Sequence, residues 1–129
     1  MPNKELSRLN AYKNFKNTFF SAKNDGFYWK DPFSIIKQIE SECDEIKLEL
    51  ENNNYIKISE EISDLVHAIL CLCEHLNLEF FDLLDFANEK FQKRFSKLKD
   101  YIKNNNLSEL NKLSEDQLKE IWSYAKTNC

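Results

Sequence analysis

Four acidic side chains in the first half of the chain have the spacing of a cation site. Glu42 and Glu45 form a Glu-x-x-Glu pair, and Glu61 and Asp64 form a Glu-x-x-Asp pair. If each segment is helical, the two members of a pair project from one helix face. Four carboxylates on two packed helices repel one another unless they are solvated, take up protons or recruit a cation. Oxygen ligands alone suit Mg²⁺, with Mn²⁺ as a substitute, and do not suit zinc.

Two basic residues further along the chain offer a complementary charge. Lys90 and Arg94 are four residues apart and therefore share one face of a helix. They are either solvated helix charges or ligands for a polyphosphate whose other oxygens complete a magnesium site. Arginine suits the second role because its guanidinium group binds phosphate oxygens bidentately.

The composition indicates that helices must position these residues. The chain has 129 residues with only one glycine and two prolines, against typical usages of about 7% and 5%. So little glycine argues against a β-rich fold and against a glycine-rich phosphate loop. We therefore expect an all-α fold, a bundle of four to five helices that is completed by oligomerisation.

Apolar periodicity places the helices at about 4–22, 32–50, 55–76 and 79–103, with a short helix starting at Ser114. Asp31-Pro32 is a strong start signal, and Ser114 with Gln117 forms a capping box. Each of the four acids precedes by one position a residue of an apolar stripe, which puts the acids at the edge of a buried seam. The stripes predicted for the second and third helices are Ile36, Ile39, Cys43, Ile46 and Leu50, and Ile58, Ile62, Leu65, Ile69, Leu72 and Leu76.

Charge and hydropathy exclude several classes of protein. The net charge is −4 and the pI is near 5.3, whereas a nucleic-acid binder shows a basic stripe. No apolar run reaches the roughly 18 residues of a membrane span, and the first residues lack the apolar core of a signal peptide. We expect a cytoplasmic protein with free cysteines, no nucleic-acid partner and no membrane partner.

Several other residues have both a functional and a structural interpretation. His67, Cys71 and His75 share a helix face, but His67 and His75 are about 12 Å apart at 1.5 Å per residue, so one tetrahedral ion cannot bind all three. They are predicted to be core or rim residues. Trp29 and Trp122 lie near segment ends, where an indole could close over a flat ligand; core packing is the equal alternative for each.

The four acids resemble the signature of the MazG-type all-α nucleoside triphosphate pyrophosphohydrolases. Fifteen residues separate Glu45 from Glu61, and in that family two such pairs on neighbouring helices hold Mg²⁺. The Lys90-x-x-x-Arg94 pattern is similar to the pair that the family aims at the triphosphate. The ending LSEDQLKEIWSYAK resembles the family's C-terminal segment, so Trp122 is the nucleotide-stacking candidate. The resemblance covers roughly residues 29 to 126.

The resemblance implies hydrolysis of nucleoside triphosphates, ribo or deoxy, to a nucleoside monophosphate and pyrophosphate. Glu42, Glu45, Glu61 and Asp64 would bind the metal, Glu42 or Glu45 would act as the catalytic base, and Lys90 with Arg94 would bind substrate phosphates. It also implies a homodimer or homotetramer. The expected organisation is one MazG-like domain over 1–129: an N-terminal helix and turn (1–27), a metal-binding helical core (28–104) and a C-terminal capping helix (105–129).

Two other functions fit the same residues. The chain could be a non-catalytic helical oligomerisation or interaction protein, in which the acids form a solvated rim. It could also be a phosphohydrolase that acts on another nucleotide derivative. Turnover of nucleoside triphosphates in the presence of Mg²⁺ distinguishes the three.

Overall fold

The computed structural model describes residues 3–107 and 109–129, and helices make up nearly all of its regular structure. The α-helices are α1 (Lys4–Asn24), α2 (Pro32–Glu51), α3 (Tyr55–His75), α4 (Phe80–Asn104) and α5 (Glu115–Thr127), with a 3-10 turn at Leu110–Lys112. The expected all-α fold is confirmed, and the described ranges contain no strand. The 3-10 turn was not predicted. No helix in these ranges is long and apolar enough to cross a membrane.

Local sequence signals explain where the helices begin. The Asp31 carboxylate accepts a hydrogen bond from the Phe33 amide at 2.9 Å, and Pro32 occupies the first turn of α2, where its missing N–H costs nothing. Asn54 caps α3 through the Lys57 amide. The capping box of α5 is present, since Ser114 and Gln117 each bond to the other's backbone amide at 3.1 and 2.8 Å.

Asparagines replace glycines in the turns of this glycine-poor chain. Asn53, Asn77 and Asn106 have φ values of 54°, 57° and 52°, in the left-handed region that asparagine adopts more readily than most residues. Gly26, two residues after the end of α1, has φ 92°. These four positions lie in the connections between successive helices.

The chain divides into two compact units, Met1–Glu79 and Phe80–Cys129. In the first unit, α2 packs along α3, and Lys16 ties α1 to α3 through a 3.7 Å ion pair with Glu74. In the second unit, α4 packs against α5 around the buried residues Leu98, Ile121 and Ala125. The segment boundaries expected at 27 and 104 stay a prediction.

The predicted apolar stripes are only partly buried within the single chain. Ile36, Ile62 and Ile69 are 39%, 45% and 37% exposed, whereas Ile35 is 1% exposed. Ile58 is buried as predicted, and α3 also buries Ala68, Cys71 and Cys73. Glu42 is 6% exposed, so it lies inside the interface of α2 and α3 and not at its edge.

Candidate active site

Three of the four predicted acids form one group between α2 and α3. Glu42 and Glu45 on α2 and Glu61 on α3 each offer a carboxylate oxygen, and these atoms all lie within 4.8 Å of one another. Glu42 is buried, Glu61 is half-buried and Glu45 is exposed. The group therefore opens to solvent on the side of Glu45, with Glu42 at its inner end.

Two buried carboxylate oxygens of this group have no hydrogen-bond donor. One oxygen of Glu42 (Oε1) accepts a 2.7 Å hydrogen bond from the side-chain amide of Gln38. The other oxygen of Glu42 and one oxygen of Glu61 are buried without a hydrogen-bond donor when both groups are ionised. Buried carboxylate oxygens without donors are costly, so this arrangement calls for a proton or a cation.

Protonation of one carboxylate would provide such a donor, and the pKa of Glu61 indicates that Glu61 is the group that is protonated. Hydrogen bonding to Glu45, then burial, then the neighbouring Glu42 raise the pKa of Glu61 from 4.5 to about 7. Without metal, Glu61 therefore takes up a proton at a higher pH than an ordinary glutamate and can donate it to a neighbouring carboxylate. The hydrogen bond with Glu45 is the main cause of the raised pKa, and burial and the nearby negative charges add to it.

Binding of a divalent cation is the other way to satisfy these oxygens, and a set of three carboxylates suits such an ion. Mg²⁺ prefers oxygen ligands, and the oxygens of Glu42, Glu45 and Glu61 lie within 4.8 Å of one another. An ion between them would be within reach of all three carboxylates. Three carboxylates of one group favour a hard cation over zinc.

The fourth predicted acid lies outside this group. Asp64 is exposed and is three residues beyond Glu61 on α3. It lines a cavity of about 630 Å³ together with Glu42. Its predicted role as a metal ligand stays a prediction.

The same cavity has an aromatic wall that the sequence did not reveal. Side chains of α1 and of the α1–α2 connection form the wall, and side chains of α2 and α3 supply polar groups. A cavity of this size, apolar with a few polar groups, is typical of small-molecule sites. The aromatic members are Phe15, Phe19, Phe27, Tyr28 and Trp29, and the polar members include Thr18, Gln38, Glu42, Asp64 and His67.

The cavity joins the acid group to a surface suited to a flat ligand. Trp29 and Tyr28 are 40% and 44% exposed, which leaves much of their aromatic surface uncovered. Glu42 belongs both to the acid group and to the cavity lining. A ligand in the cavity is therefore within reach of Glu42. The sequence allows ligand stacking and core packing equally for Trp29, and its exposure favours ligand stacking.

His67 and Cys71 meet at the cavity, but the Cys71 thiol is not an activated nucleophile. The Cys71 sulfur lies 3.8 Å from Nδ1 of His67, and the Phe15 ring packs edge-on against His67 at 5.5 Å. Burial raises the pKa of the Cys71 thiol, so the thiol is neutral at physiological pH and a poor nucleophile. Cys71 is buried and His75 half-buried, while His67 is an exposed residue of the cavity rim.

The predicted phosphate ligands and stacking residue all lie in the second unit. Lys90 is exposed, and its ammonium group lies 5.1 Å from the Phe86 ring centre. The Arg94 guanidinium group lies 5.8 Å from the centre of the Trp122 ring. Trp122 is half-buried and packs against the core of that unit. One face of its indole is thus already in contact with protein. The roles of all three residues toward nucleotides stay predictions.

Gln38 is a functional candidate that the spacing of the acids alone does not reveal. Its position four residues before Glu42 is the signal that could have identified it, because i and i+4 side chains meet on a helix.

Curated proteins of known activity match much of the chain, whereas no protein-family model matches it. The nucleoside triphosphate pyrophosphohydrolase/pyrophosphatase MazG of Thermotoga maritima is 35% identical over 106 residues, which is 82% of this chain and 40% of that protein. The nucleoside triphosphate pyrophosphohydrolase of Escherichia coli K12 is 29% identical over 105 residues, 80% of this chain and 40% of that protein. The chain thus spans about 40% of the length of these relatives. The resemblance indicated by the acid spacing is confirmed: the curated relatives of this chain are named as MazG and nucleoside triphosphate pyrophosphohydrolases.

Proposed function

We propose that the chain catalyses the Mg²⁺-dependent hydrolysis of nucleoside triphosphates, ribo or deoxy, to a nucleoside monophosphate and pyrophosphate. The observation that carries the proposal is the group of Glu42, Glu45 and Glu61, of which Glu42 also lines an aromatic cavity. The names of the relatives support the choice of triphosphates over other nucleotide derivatives. A solvated rim of a purely structural protein would not contain Glu42, which is 6% exposed.

Glu42, Glu45 and Glu61 would hold the cation, with Asp64 as a further ligand, and Mn²⁺ would substitute for Mg²⁺. When bound, the ion supplies positive charge for the phosphate oxygens and makes nearby water more acidic. The carboxylates must then be ionised, so the proton on Glu61 is released when the ion binds.

Side chains of the protein would carry out proton transfer and stabilise the leaving group. Water attacks the α-phosphorus, the bond between that atom and the bridging oxygen breaks, and pyrophosphate leaves. Glu42 or Glu45 accepts the proton of the attacking water. The exposure of Glu45 favours it for this role, since its carboxylate is open to solvent. Lys90 and Arg94 stabilise the negative charge on the departing pyrophosphate.

The aromatic cavity would hold the nucleoside. Base stacking on an aromatic side chain contributes about 1–3 kcal/mol per base, and the exposed rings of Tyr28 and Trp29 are available for it. Trp122 remains the second stacking candidate, from the C-terminal helix. The number of aromatic side chains in the cavity wall makes Trp29 the stronger of the two.

We also infer that the active protein is a cytoplasmic homodimer or homotetramer. Exposed apolar residues recur on one face of α3, where Ile62, Val66 and Ile69 are 45%, 45% and 37% exposed. Their spacing of four and three residues makes a continuous stripe, and a second copy of the chain would cover it. Light scattering of the purified protein gives the mass that tests this inference.

Product analysis tests the proposed reaction. The protein is incubated with each common NTP and dNTP in the presence of Mg²⁺, and the products are separated. Monophosphate and pyrophosphate in equal amounts are expected for at least one substrate. Turnover of none of them, together with no metal-dependent thermal shift, would refute the proposal.

A further inference from the structure

One hydrogen bond links the acid group to a neutral side chain on the same helix. Gln38 Nε2 lies 2.7 Å from Oε1 of Glu42. A carboxylate oxygen only accepts, so the amide nitrogen must be the atom that faces it. The orientation of the Gln38 amide is therefore set by chemistry, and a hydrogen bond to a charged acceptor is among the stronger ones.

This bond decides which oxygen of Glu42 remains available. Glu42 is 6% exposed, so solvent cannot supply donors to its carboxylate as it can for the exposed Glu45. Gln38 occupies Oε1, and Oε2 is buried and has no donor when Glu61 is ionised. The carboxylate is thereby held in one rotational state with a single free oxygen.

Loss of the Gln38 donor would leave Oε1 of Glu42 without a partner and would free the carboxylate to rotate. The Glu42 carboxylate would then be buried with two oxygens lacking donors, which is costly for a charged group. It could lower that cost by rotating away or by taking up a proton. Either change leaves a poorer ligand for a cation.

We propose that Gln38 is a positioning residue, which holds the Glu42 carboxylate so that its free oxygen faces the cation bound by the acid group. The proposal rests on the proposed metal site and adds a residue to it that does not touch the metal. Residues that orient a metal ligand typically change metal affinity by about 10- to 100-fold when they are replaced. Gln38 also lines the aromatic cavity, so a role in nucleotide binding alone is the competing explanation.

Two variants separate these roles. Gln38→Met keeps the size of the side chain and removes the donor, and Gln38→Asn keeps the amide but is too short to reach Glu42 from the same backbone position. Gln92→Met, at an exposed position of α4, is the matched control. Circular dichroism establishes that each variant is folded before binding is measured.

The experiment is a titration with Mn²⁺ alone, followed by electron paramagnetic resonance of the free ion, with no nucleotide present. We expect both Gln38 variants to bind Mn²⁺ about 10-fold more weakly than the wild type, and Gln92→Met to bind as the wild type does. In steady-state assays the loss of kcat should be recovered by raising the metal concentration, with little change in the KM for nucleotide at saturating metal.

The opposite pattern overturns the proposal. Unchanged Mn²⁺ affinity in both Gln38 variants, with a raised KM, would show that Gln38 contributes only to nucleotide binding in the cavity. That result would leave the proposed function intact. A wild-type protein that binds no Mn²⁺ would refute the metal site itself, and the positioning role with it.

Discussion

Glu61 on α3 and Glu45 on α2 lie close enough for a hydrogen bond between their carboxyl groups to be the largest cause of the raised pKa of Glu61, about 7. The proton that Glu61 takes up must be released when a cation binds to these carboxylates. Binding of the cation and loss of the proton are therefore linked.

Metal affinity should depend on pH around neutrality. Below pH 7 the cation must displace the proton of Glu61, so the apparent affinity should rise about tenfold per pH unit. Above pH 7 the increase should level off. Mn²⁺ titrations at pH 6, 7 and 8 measure this dependence, and an affinity that is flat between pH 6 and 7 would contradict the linkage.

The metal-free protein should lose stability as pH rises. The pKa of Glu61 is raised in the folded state, from 4.5 to about 7, so the folded protein binds more protons than the unfolded chain between these values. Its contribution to the free energy of unfolding is fully present below about pH 4.5 and is lost as pH rises through 7. Thermal melts in EDTA at pH 5.5 and 7.5, with Glu61→Gln as the comparison, test this. The variant should show a smaller pH dependence.

Glu61→Gln should separate stability from activity. Removing one charge from the acid group relieves repulsion, so the metal-free variant should melt at a higher temperature than the wild type at pH 7.5. Its kcat/KM should fall by about 100-fold or more, since a cation ligand is lost. Glu60→Gln is the matched control, because Glu60 is the exposed neighbour of Glu61. Full activity in Glu61→Gln would remove this residue from the metal site.

Trp29→Ala should weaken nucleotide binding without weakening metal binding. The loss of one stacked ring is expected to raise KM on the order of 10-fold, while the Mn²⁺ affinity measured without nucleotide stays unchanged. Tyr55→Ala is the control, since Tyr55 is 73% exposed and is not among the residues that line the cavity. If Trp122→Phe raised KM and Trp29→Ala did not, the base would lie on the C-terminal helix instead.

Lys90→Ala should reduce kcat/KM for triphosphates by about 10-fold or more through loss of a positive charge at the pyrophosphate. Metal affinity should not change. Lys93→Ala replaces a neighbouring exposed lysine of α4 and should have no comparable effect. Equal losses in the two variants would indicate a general charge effect and would exclude a specific role for Lys90. Lys90 is preferred to Arg94 because Arg94 packs near Trp122, so its removal also affects the core of the second unit.

The helices and their caps could be predicted from sequence because their causes are local. Asp31, Pro32, Ser114 and Gln117 act within one turn of the helix that they start. The grouping of the acids was also predictable in outline, since Glu42 and Glu45 share a face for geometric reasons.

The side of each helix that is buried was less predictable. Ile35 and Ile36 are adjacent, and the apolar stripe of α2 is wide enough for either to face inward. Periodicity favoured Ile36, whereas packing against α3 buries Ile35. Which of these two residues faces inward also decides whether Glu42 lies at the edge of the interface or inside it.

The cavity could not be predicted from the sequence, because it depends on tertiary contacts. Phe15 on α1 packs against His67 on α3, which lies 52 residues away. Trp29 comes to the same cavity from the connection between α1 and α2. No short spacing in the sequence links these three residues, and only the packing of α1 on the α2–α3 pair brings them together.

The position of isotopic label from water tests the proposed reaction most directly. The protein, Mg²⁺ and a nucleoside triphosphate that it turns over are incubated in water enriched in oxygen-18, and the products are examined by mass spectrometry. Attack at the α-phosphorus, with Glu42 or Glu45 as the base, places the label in the nucleoside monophosphate and leaves pyrophosphate unlabelled. Label in pyrophosphate or in free phosphate, or absence of turnover with every NTP and dNTP, would contradict it.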